Sequence, residues 1–411
     1  MHVSLSTLRS ASVYLGGSAL ILLIYGFLFP ALNWPDEYRN VLLLQQGDER
    51  GYALIYGHFA RGVMQFADTL FGLNELGDVL GAVQASSGYR MIHGALHYKS
   101  VADMPAVYYF AKLANLLLAG TFAAVLVLYL SNSNEHSRNK NIRVFLLSLC
   151  FPSVAYGVMQ ISTDILFILC SLLPFFVRDR TSSLGLAFAM ALLVVEDRSF
   201  VLLSAFILLR ELYGALLLRH IAHASWRRRL HWLLLFSALG MLAALLVSQL
   251  LADPRWLNML YAGLGDGVAL ALEYTHGKSY NPLISLVVFY AGLIILPGAT
   301  EFFVALLPLY LMLLFAFHRF LRYCLSARFG EEGARAFIAL LAVLTVFFFL
   351  TGVVHVFESG RYYLYLVPYV VNALLSGALN FKAAGAPRPE WAMLYGCTLV
   401  AIAVTLLAYA L

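Results

Sequence analysis

The chain contains very little charge. Only 12% of its 411 residues are charged, whereas 62% are hydrophobic. A soluble domain is about 25% charged and about 45–50% apolar. The composition therefore excludes a soluble enzyme, a disordered protein and a nucleic-acid-binding protein. It predicts an all-α, polytopic transmembrane helical bundle in contact with the lipid bilayer.

Cysteines and the usual cofactor motifs are also scarce. The four cysteines lie in or beside apolar runs and show no CxxC or Cys/His spacing. No Walker A loop, dinucleotide-binding fingerprint or HExxH sequence occurs. These absences argue against a zinc site and against a disulfide framework.

What is present is a series of apolar runs separated by short polar stretches. The first predicted span covers about 11–32, and a long polar-containing stretch, 33–105, follows it. Apolar residues at helical spacing in 33–105 predict amphipathic helices that lie on the membrane surface. Further apolar runs cover 106–130, 144–162, 163–177, 184–195, 199–218, 231–252, 283–299, 299–317, 336–354, 362–380 and 391–411. The pattern predicts one domain, 1–411, with about 11–13 membrane segments and a second loop at 253–282.

Lysine and arginine in the short loops predict the orientation of these segments. Basic residues group at 138–143, 178–180 and 219–229. Alternation from an inside N-terminus places these three groups inside. The loops 33–105 and 253–282 then lie outside.

The basic residues at 319–335 create one conflict. If 283–299 and 299–317 both cross the membrane, this group lies outside, against the positive-inside rule. We therefore expect a single full crossing there, with a re-entrant or interfacial segment broken at Pro297-Gly298. This arrangement predicts eleven crossings and places 355–361 on the outer face.

Two adjacent carboxylates open the long first loop. Asp36 and Glu37 follow the first span directly, within the sequence WPDEYR. A carboxylate at headgroup depth can act as a general base toward a hydroxyl group. The alternative is a solvated helix cap, with Asp36 capping a helix that starts near Glu37. The residues alone leave both interpretations open.

A second polar group lies between two late apolar runs. It comprises His355, Glu358, Arg361 and Tyr362. A guanidinium can bond two phosphate oxygens at once, and positive charge is depleted on the outer side of membrane proteins. Arg361 is therefore a candidate phosphate ligand. The alternative is an interfacial anchor, with Tyr362 in an aromatic belt.

A third group lies near the end of the first loop. Arg90, His93, His97 and Lys99 are close in sequence, and the two histidines are four residues apart. That spacing fits a pair of metal ligands, but no third ligand is adjacent. It favours a basic face near a lipid-linked phosphate or the headgroups, or simply a solvated face.

A fourth group separates two apolar runs. Glu196, Asp197 and Arg198 predict a tight turn at an interface. Arg198 either pairs with a neighbouring carboxylate or joins Arg361 around an anionic group.

The order of these features follows a known layout. An inside N-terminus, one span, and a carboxylate pair opening a long outer loop with surface helices resemble the GT-C superfamily of integral-membrane glycosyltransferases, which use polyprenyl-phosphate sugars. The sequence PDEY at 35–38 is similar to the opening of the first loop in the protein O-mannosyltransferase and aminoarabinose transferase branch. The sequence RYYLYLVP at 361–368 is similar to the stretch that opens a late span in many such enzymes. With neither a soluble C-terminal domain nor a WWDYG-type sequence, we do not expect an oligosaccharyltransferase.

The resemblance implies roles for particular residues. Asp36 would be the general base that deprotonates the acceptor hydroxyl, and Glu37 would orient the acceptor or the base. The donor phosphate would be held by residues from three of the groups above: Arg361, His355, Arg90, Lys99 and Arg198. Other substrate contacts would come from Tyr38, His93, Glu358 and Tyr362.

The implied reaction is a direct displacement at the anomeric carbon with inversion. Because the leaving lipid phosphate already carries its charge, arginine contacts can stabilise it without a metal, so we expect no metal and no cofactor. The donor would be a polyprenyl-phosphate sugar, and the acceptor a glycan, a lipid or a protein. The enzyme would be a monomer in a bacterial cytoplasmic membrane, with its site on the outer face.

Other functions remain open. A lipid-linked polysaccharide polymerase or ligase would also use outer arginines, although such proteins usually carry their large outer loop late in the chain. A lipid-linked sugar flippase or transporter usually has internal repeats and charges at mid-membrane depth. This sequence shows no clear repeat, and its charges cluster at the ends of the predicted spans. A purely structural scaffold is disfavoured by the polar first loop.

Overall fold

The fold of the described residues is entirely helical. The computed structural model describes residues 16–23, 106–131, 135–160, 165–195, 199–251, 253, 255, 303–353 and 360–378. The α-helices that it bounds in these ranges are α1 (Ala106–Ser131), α2 (Glu135–Leu149), α3 (Pro152–Met159), α4 (Ile165–Ser171), α5 (Arg180–Leu192), α6 (Phe200–Ala222), α7 (Trp226–Leu251), α8 (Phe303–Leu325), α9 (Gly330–Val353) and α10 (Val367–Ala378). The 3-10 helices in the same ranges are Leu173–Phe175, Leu193–Val195, Ala327–Phe329 and Gly360–Leu366. For this part of the chain, the all-α prediction is confirmed.

Several of these helices have the length and composition of membrane spans. They are Lys112–Leu130, Phe200–Ala222, Trp226–Leu251 and Ala327–Val353. At a rise of 1.5 Å per residue, about 20 residues cross the hydrocarbon core of a bilayer. These four helices indicate a membrane protein. They correspond to the apolar runs at 106–130, 199–218, 231–252 and 336–354.

The predicted first span is described only at 16–23. These residues are helical and lie against α2, because the Ser18 hydroxyl donates a hydrogen bond to the carbonyl of Leu146 at 3.0 Å. Both predicted outer loops lie outside the described residues, apart from positions 253 and 255. The disputed run 283–299 lies outside them as well.

α9 is the centre of the described bundle. Most of its residues are buried, and it packs against both α6 and α7. α7 is peripheral, since Arg229 and Ala244 are its only buried residues. The two helices approach closely at Gly352, where a Cβ atom would lie 2.9 Å from the Cα atom of Ala244. Small residues at such crossings let membrane helices gain packing contacts.

The region 144–177 differs from two simple spans. α2 and α3 meet at an angle of 62° because Pro152, at the start of α3, cannot donate a backbone hydrogen bond to the preceding turn. The run 163–177 forms only α4 and a 3-10 helix that contains Pro174. At 1.5 Å per residue, this helical stretch is too short to cross a bilayer as a straight helix.

The basic groups at 219–229 and 319–335 form much shorter loops than their sequences suggest. α6 and α7 are separated only by residues 223–225, and α8 and α9 only by 326–329. Arginine favours helices, and its apolar stem can lie along a hydrophobic helix while its charge reaches water. We call the end of the bundle formed by these two turns and by residues 176–179 the basic end.

The other end of the described bundle is defined by two contacts. The 3-10 helix Gly360–Leu366 packs against α3 and α4, and the start of α1 contacts the end of α3. We call this the opposite end. Since α6, α7 and α9 each run between the two ends, a polar cluster at one end is separated from the other by a full span.

Candidate functional site

The structure describes few of the side chains that the sequence singles out. The side chain of Tyr362 and the backbone of Arg361 are described. The remaining candidates lie outside the described residues: Asp36, Glu37, Tyr38, Arg90, His93, Lys99, Arg198, His355 and Glu358. The convergence of Asp36 with Arg361 therefore stays a prediction.

Tyr362 is part of the wall of the bundle at the opposite end. Its side chain is only 8% exposed, and its ring centroid lies 6.0 Å from that of Phe167 on α4. The next residues of the 3-10 helix, Tyr363 and Tyr365, are buried as well. The packing of these rings fixes the backbone that carries Arg361 against α3 and α4. Tyr362 thus differs from an exposed member of an aromatic belt.

A buried lysine lies at the same end. Lys112, in the second turn of α1, is 2% exposed, and its ammonium donates a hydrogen bond to the carbonyl of Met159 at 2.6 Å. One turn further along α1, Asn115 donates to the carbonyl of Gln160 at 2.9 Å. These carbonyls end α3, where the helix dipole is negative, so the cation is stabilised by that dipole.

Sequence reasoning overlooked Lys112, although a signal was present. It is a cation inside an apolar run, and a charge at such a position is a functional candidate by default because burying it is costly. The opposite end therefore combines a buried ammonium with the segment predicted to bind phosphate. Both are held by the same group of helices, α1, α3 and α4.

A second polar site surrounds Arg210, near the middle of α6. The guanidinium is 8% exposed and donates to the Glu211 carboxylate at 2.7 Å, to the Ser183 hydroxyl at 2.9 Å and to the Tyr369 hydroxyl at 3.2 Å. It also donates to the carbonyl of Pro174. The side chain thereby joins α6 to α5, to α10 and to the 3-10 helix before α5. It is an exception to the prediction that charges cluster at span ends.

A cavity of about 280 Å³ lies beside Arg210 and is open at the basic end. Its wall includes two carboxylates that form ion pairs: Glu332 with Lys140 at 2.8 Å and Glu331 with Arg335 at 2.6 Å. Asn372 also lines the cavity and donates to the Tyr323 hydroxyl at 3.3 Å. The wall is thus polar, with most of its charges already paired.

The signal for this second site was the dipeptide Arg210-Glu211 within the apolar run 199–218. An adjacent cation and anion inside a span is rare enough to mark a buried polar site. Within the described residues, no group of three or more His, Cys, Asp or Glu side chains is arranged to hold a metal ion.

The loop next to the cavity ends in a helix cap. The exposed carboxylate of Asp179 accepts a hydrogen bond from the backbone N–H of Ser182 at 2.8 Å, at the start of α5. Hydrogen bonds from the Ser182 side chain and backbone lower the pKa of Asp179 below its ordinary value. This carboxylate therefore positions the first turn of α5.

Comparison of the chain with protein-family models, with curated proteins and with solved structures gives no match. A function has therefore to be inferred from the residues of the chain itself.

Proposed function

We propose that the chain is an integral-membrane glycosyltransferase of the GT-C type. It would transfer a sugar from a polyprenyl-phosphate donor to a hydroxyl group, at the opposite end of the bundle. The observation that supports this most is the buried Lys112, which lies at the same end as the segment carrying Arg361. A buried cation at the end of the bundle that also carries Arg361 favours an anionic ligand there, such as a lipid-linked phosphate.

The orientation follows from charge. Arginines concentrate at the basic end: they lie on the helix ends on either side of the turn 223–225, and in and beside the turn 326–329. Positive charge favours the cytoplasmic side, so we assign the basic end to the inside and the opposite end to the outer face. The complete enzyme would have 11–13 membrane segments and reside in a bacterial cytoplasmic membrane.

The proposed chemistry divides between two groups of residues. Asp36 removes the proton from the acceptor hydroxyl as the acceptor oxygen attacks the anomeric carbon. Glu37 orients the acceptor or the base during this step. The bond between that carbon and the phosphate oxygen breaks, and the polyprenyl phosphate leaves with the electron pair. Arg361, together with His355, stabilises this leaving group, and the buried Lys112 positions this end of the bundle by joining α1 to the end of α3. The configuration at the anomeric carbon inverts.

The proposal can be tested with the purified full-length chain in detergent, supplied with a panel of polyprenyl-phosphate sugars and lipid or glycan acceptors. Asp36→Asn should lower the transfer rate by about a hundredfold or more, because it removes the base. Lys112→Met should raise the KM for the donor about tenfold. The matched control is Lys140→Met, at the basic end, which should leave both constants unchanged. Full activity of Asp36→Asn, or no transfer from any donor, would contradict the proposal.

A lipid-linked sugar flippase or transporter is the second candidate. The observation in its favour is the Arg210–Glu211 pair inside a span, beside a cavity open at the basic end. Ionisable groups at such depth often line transport paths. Reconstitution into liposomes separates the candidates, since a transporter moves the lipid-linked sugar across the bilayer without transferring the sugar. In that case Glu211→Gln should slow movement, whereas Asp36→Asn should not.

A lipid-linked polysaccharide polymerase or ligase is distinguished by the same variant. An enzyme centred on arginines and a lipid pyrophosphate should tolerate Asp36→Asn. The product also differs, since a polymerase transfers a growing glycan and not a single sugar.

A further inference from the structure

A buried arginine fastens two helix ends together at the basic end. Arg229 is completely buried, and all four of its hydrogen bonds go to backbone carbonyls. Its Nε and one terminal nitrogen donate to Ile221 and Ala222, at the end of α6, at 3.0 and 3.1 Å. The other terminal nitrogen donates to Cys324 and Ser326, at the end of α8, at 2.9 and 3.0 Å. One cation therefore offsets the negative ends of two helix dipoles.

A pocket lies next to these helix ends, at the periphery of the described bundle. The pocket, of about 670 Å³, lies between the start of α7 and the end of α8, and we call it the arginine-rimmed pocket. Its apolar members are Trp226, Leu321, Leu325 and Ala327. Its charged or titratable members are His318, Arg322 and Arg328, and no carboxylate among the described residues belongs to its lining.

The positive charge of this pocket is not neutralised by the carboxylates of the same end. At that end, Glu331 pairs with Arg335, Glu332 pairs with Lys140, and Asp179 caps α5; further along α6, Glu211 pairs with the buried Arg210. Over the described part of the chain, the guanidinium groups of Arg322 and Arg328 have neither a hydrogen bond nor an ion pair. The Arg328 guanidinium lies 4.6 Å from the centre of the Phe329 ring, a contact that uses none of its hydrogen-bond donors, so both groups can bind an anion from outside.

The surface next to the pocket is suited to a lipid tail. Trp226 is 54% exposed, with the Arg227 guanidinium 5.7 Å from its ring centre. Further along α7, Leu234 and Leu235 are exposed, and the helix is peripheral over its whole length. Tryptophan and arginine side by side are typical of a helix at the bilayer interface. α7 thus offers exposed apolar side chains to a lipid tail beyond the pocket.

We propose that the arginine-rimmed pocket binds an anionic phospholipid. The phosphate of the headgroup interacts with Arg322 and Arg328, and an acyl chain lies over Trp226 and along α7. A free phosphate ion would use the arginines but leave the apolar lining unoccupied. A zwitterionic lipid would use the lining but carry no net charge to match the rim. An anionic lipid satisfies both, and such lipids bind basic pockets between helices on the cytoplasmic side.

The experiment uses the full-length chain in nanodiscs of phosphatidylcholine with a minor fraction of phosphatidylglycerol. Lipids retained after extraction are counted by native mass spectrometry. The double variant Arg322→Gln/Arg328→Gln should bind phosphatidylglycerol roughly tenfold more weakly or worse, since each arginine near a membrane surface contributes about 1 kcal/mol. The matched control is Arg180→Gln/Arg219→Gln, which removes two exposed arginines near the basic end but outside the pocket. The affinity of this control variant for phosphatidylglycerol should stay within about twofold of that of the original chain.

The folded state is checked independently by thermal unfolding of each variant. Arg322→Lys/Arg328→Lys keeps the charge and should retain phosphatidylglycerol better than the glutamine variant, whatever the effect of substitution on packing. An equal loss in the control pair would show diffuse surface attraction and overturn the site. The proposal would also be overturned if the original chain retained phosphatidylcholine as well as phosphatidylglycerol. Displacement of the bound lipid by millimolar inorganic phosphate would overturn it too.

Discussion

Arg229 and Arg210 are both buried arginines of neighbouring helices, yet they are stabilised in different ways. Arg229 donates only to backbone carbonyls, all at the ends of α6 and α8. Arg210 lies within α6 and has a carboxylate partner, Glu211, besides hydroxyl and carbonyl acceptors. Burying a charge is costly in either case, so each needs nearly all of its donors engaged.

The difference indicates two separate roles. The carbonyls around Arg229 belong to the backbone. They cannot change their charge, and they cannot move unless a helix unwinds, so this arginine has a fixed structural role. The partners of Arg210 are mainly side chains, and the cavity beside them is open at the basic end. The surroundings of Arg210 can therefore adjust, whereas those of Arg229 cannot.

The largest effect is expected for Arg229→Met. The substitution leaves four helix-end carbonyls without their donor, and an unsatisfied buried polar group costs about 1–3 kcal/mol. We expect the free energy of unfolding to fall by more than about 3 kcal/mol, measured by thermal or denaturant unfolding in detergent. Arg229→Lys should not restore it, because an ammonium lacks the planar fork that reaches both helix ends.

The neighbouring Arg228 provides the control for this prediction. It is exposed on the same turn of α7, so Arg228→Met should change the free energy of unfolding by less than about 0.5 kcal/mol. Equal losses for the two variants would show that the number of charges, and not the buried hydrogen bonds, stabilises this end.

A smaller loss in the free energy of unfolding is expected for a substitution at Gly333, where α9 passes close to Arg229. A Cβ atom at Gly333 would lie 2.9 Å from the Cβ atom of Phe329, 3.2 Å from the carbonyl oxygen of Tyr323 and 3.4 Å from the Arg229 guanidinium. Gly333→Ala should therefore lower the free energy of unfolding by about 1–2 kcal/mol, although alanine favours helices. Gly185→Ala on α5, where nothing lies within 4 Å, should be neutral or stabilising. If Gly333→Ala raised the free energy of unfolding instead, α9 would have to move away from its neighbours at little cost, which would contradict this prediction.

Loss of the Glu211 carboxylate, the partner of Arg210, should lower the free energy of unfolding by a smaller amount still. Glu211→Gln keeps an oxygen acceptor in place but removes its charge, and Arg210 retains its hydroxyl and carbonyl acceptors. Because charge-assisted hydrogen bonds are about twice as strong as neutral ones, we expect a loss of about 1 kcal/mol in the free energy of unfolding. The control is Glu331→Gln, an exposed carboxylate of the same cavity, with a loss below about 0.5 kcal/mol. A loss as large as that of Arg229→Met would remove the distinction between the two arginines.

The sequence predicted the helical class and the main spans because composition and run length determine them. The apolar runs at 199–218 and 231–252 became α6 and α7, and their ends differ mainly because arginines extend the helices beyond the apolar residues. The bend at Pro152 was not predicted, since hydropathy alone does not report where a proline interrupts a run. The short segment at Pro174 was missed for the same reason.

The polar sites were less predictable than the fold. The predicted sites were clusters of charged residues in loops, and they did not include charges within apolar runs. Lys112 is a single charge of this kind, and Arg210 is half of an adjacent charged pair; both are buried, with backbone or side-chain partners from distant parts of the chain. Their partners, Met159 and Tyr369, could not be identified because hydropathy carries no information on which helices are neighbours. A charge within an apolar run was nevertheless a readable signal.

The smallest effect is expected for the exposed pair Arg335–Glu331, although its distance of 2.6 Å is shorter than any hydrogen bond of Arg229. Both side chains are at least half exposed, so water and salt screen their attraction. Arg335→Ala should lower the free energy of unfolding by less than about 0.5 kcal/mol, and the loss should vanish at high salt. The loss in Arg229→Met should persist at the same salt concentration, because its hydrogen bonds are out of contact with water. Burial, and not the distance between the charged atoms, would then determine what an arginine contributes to this bundle.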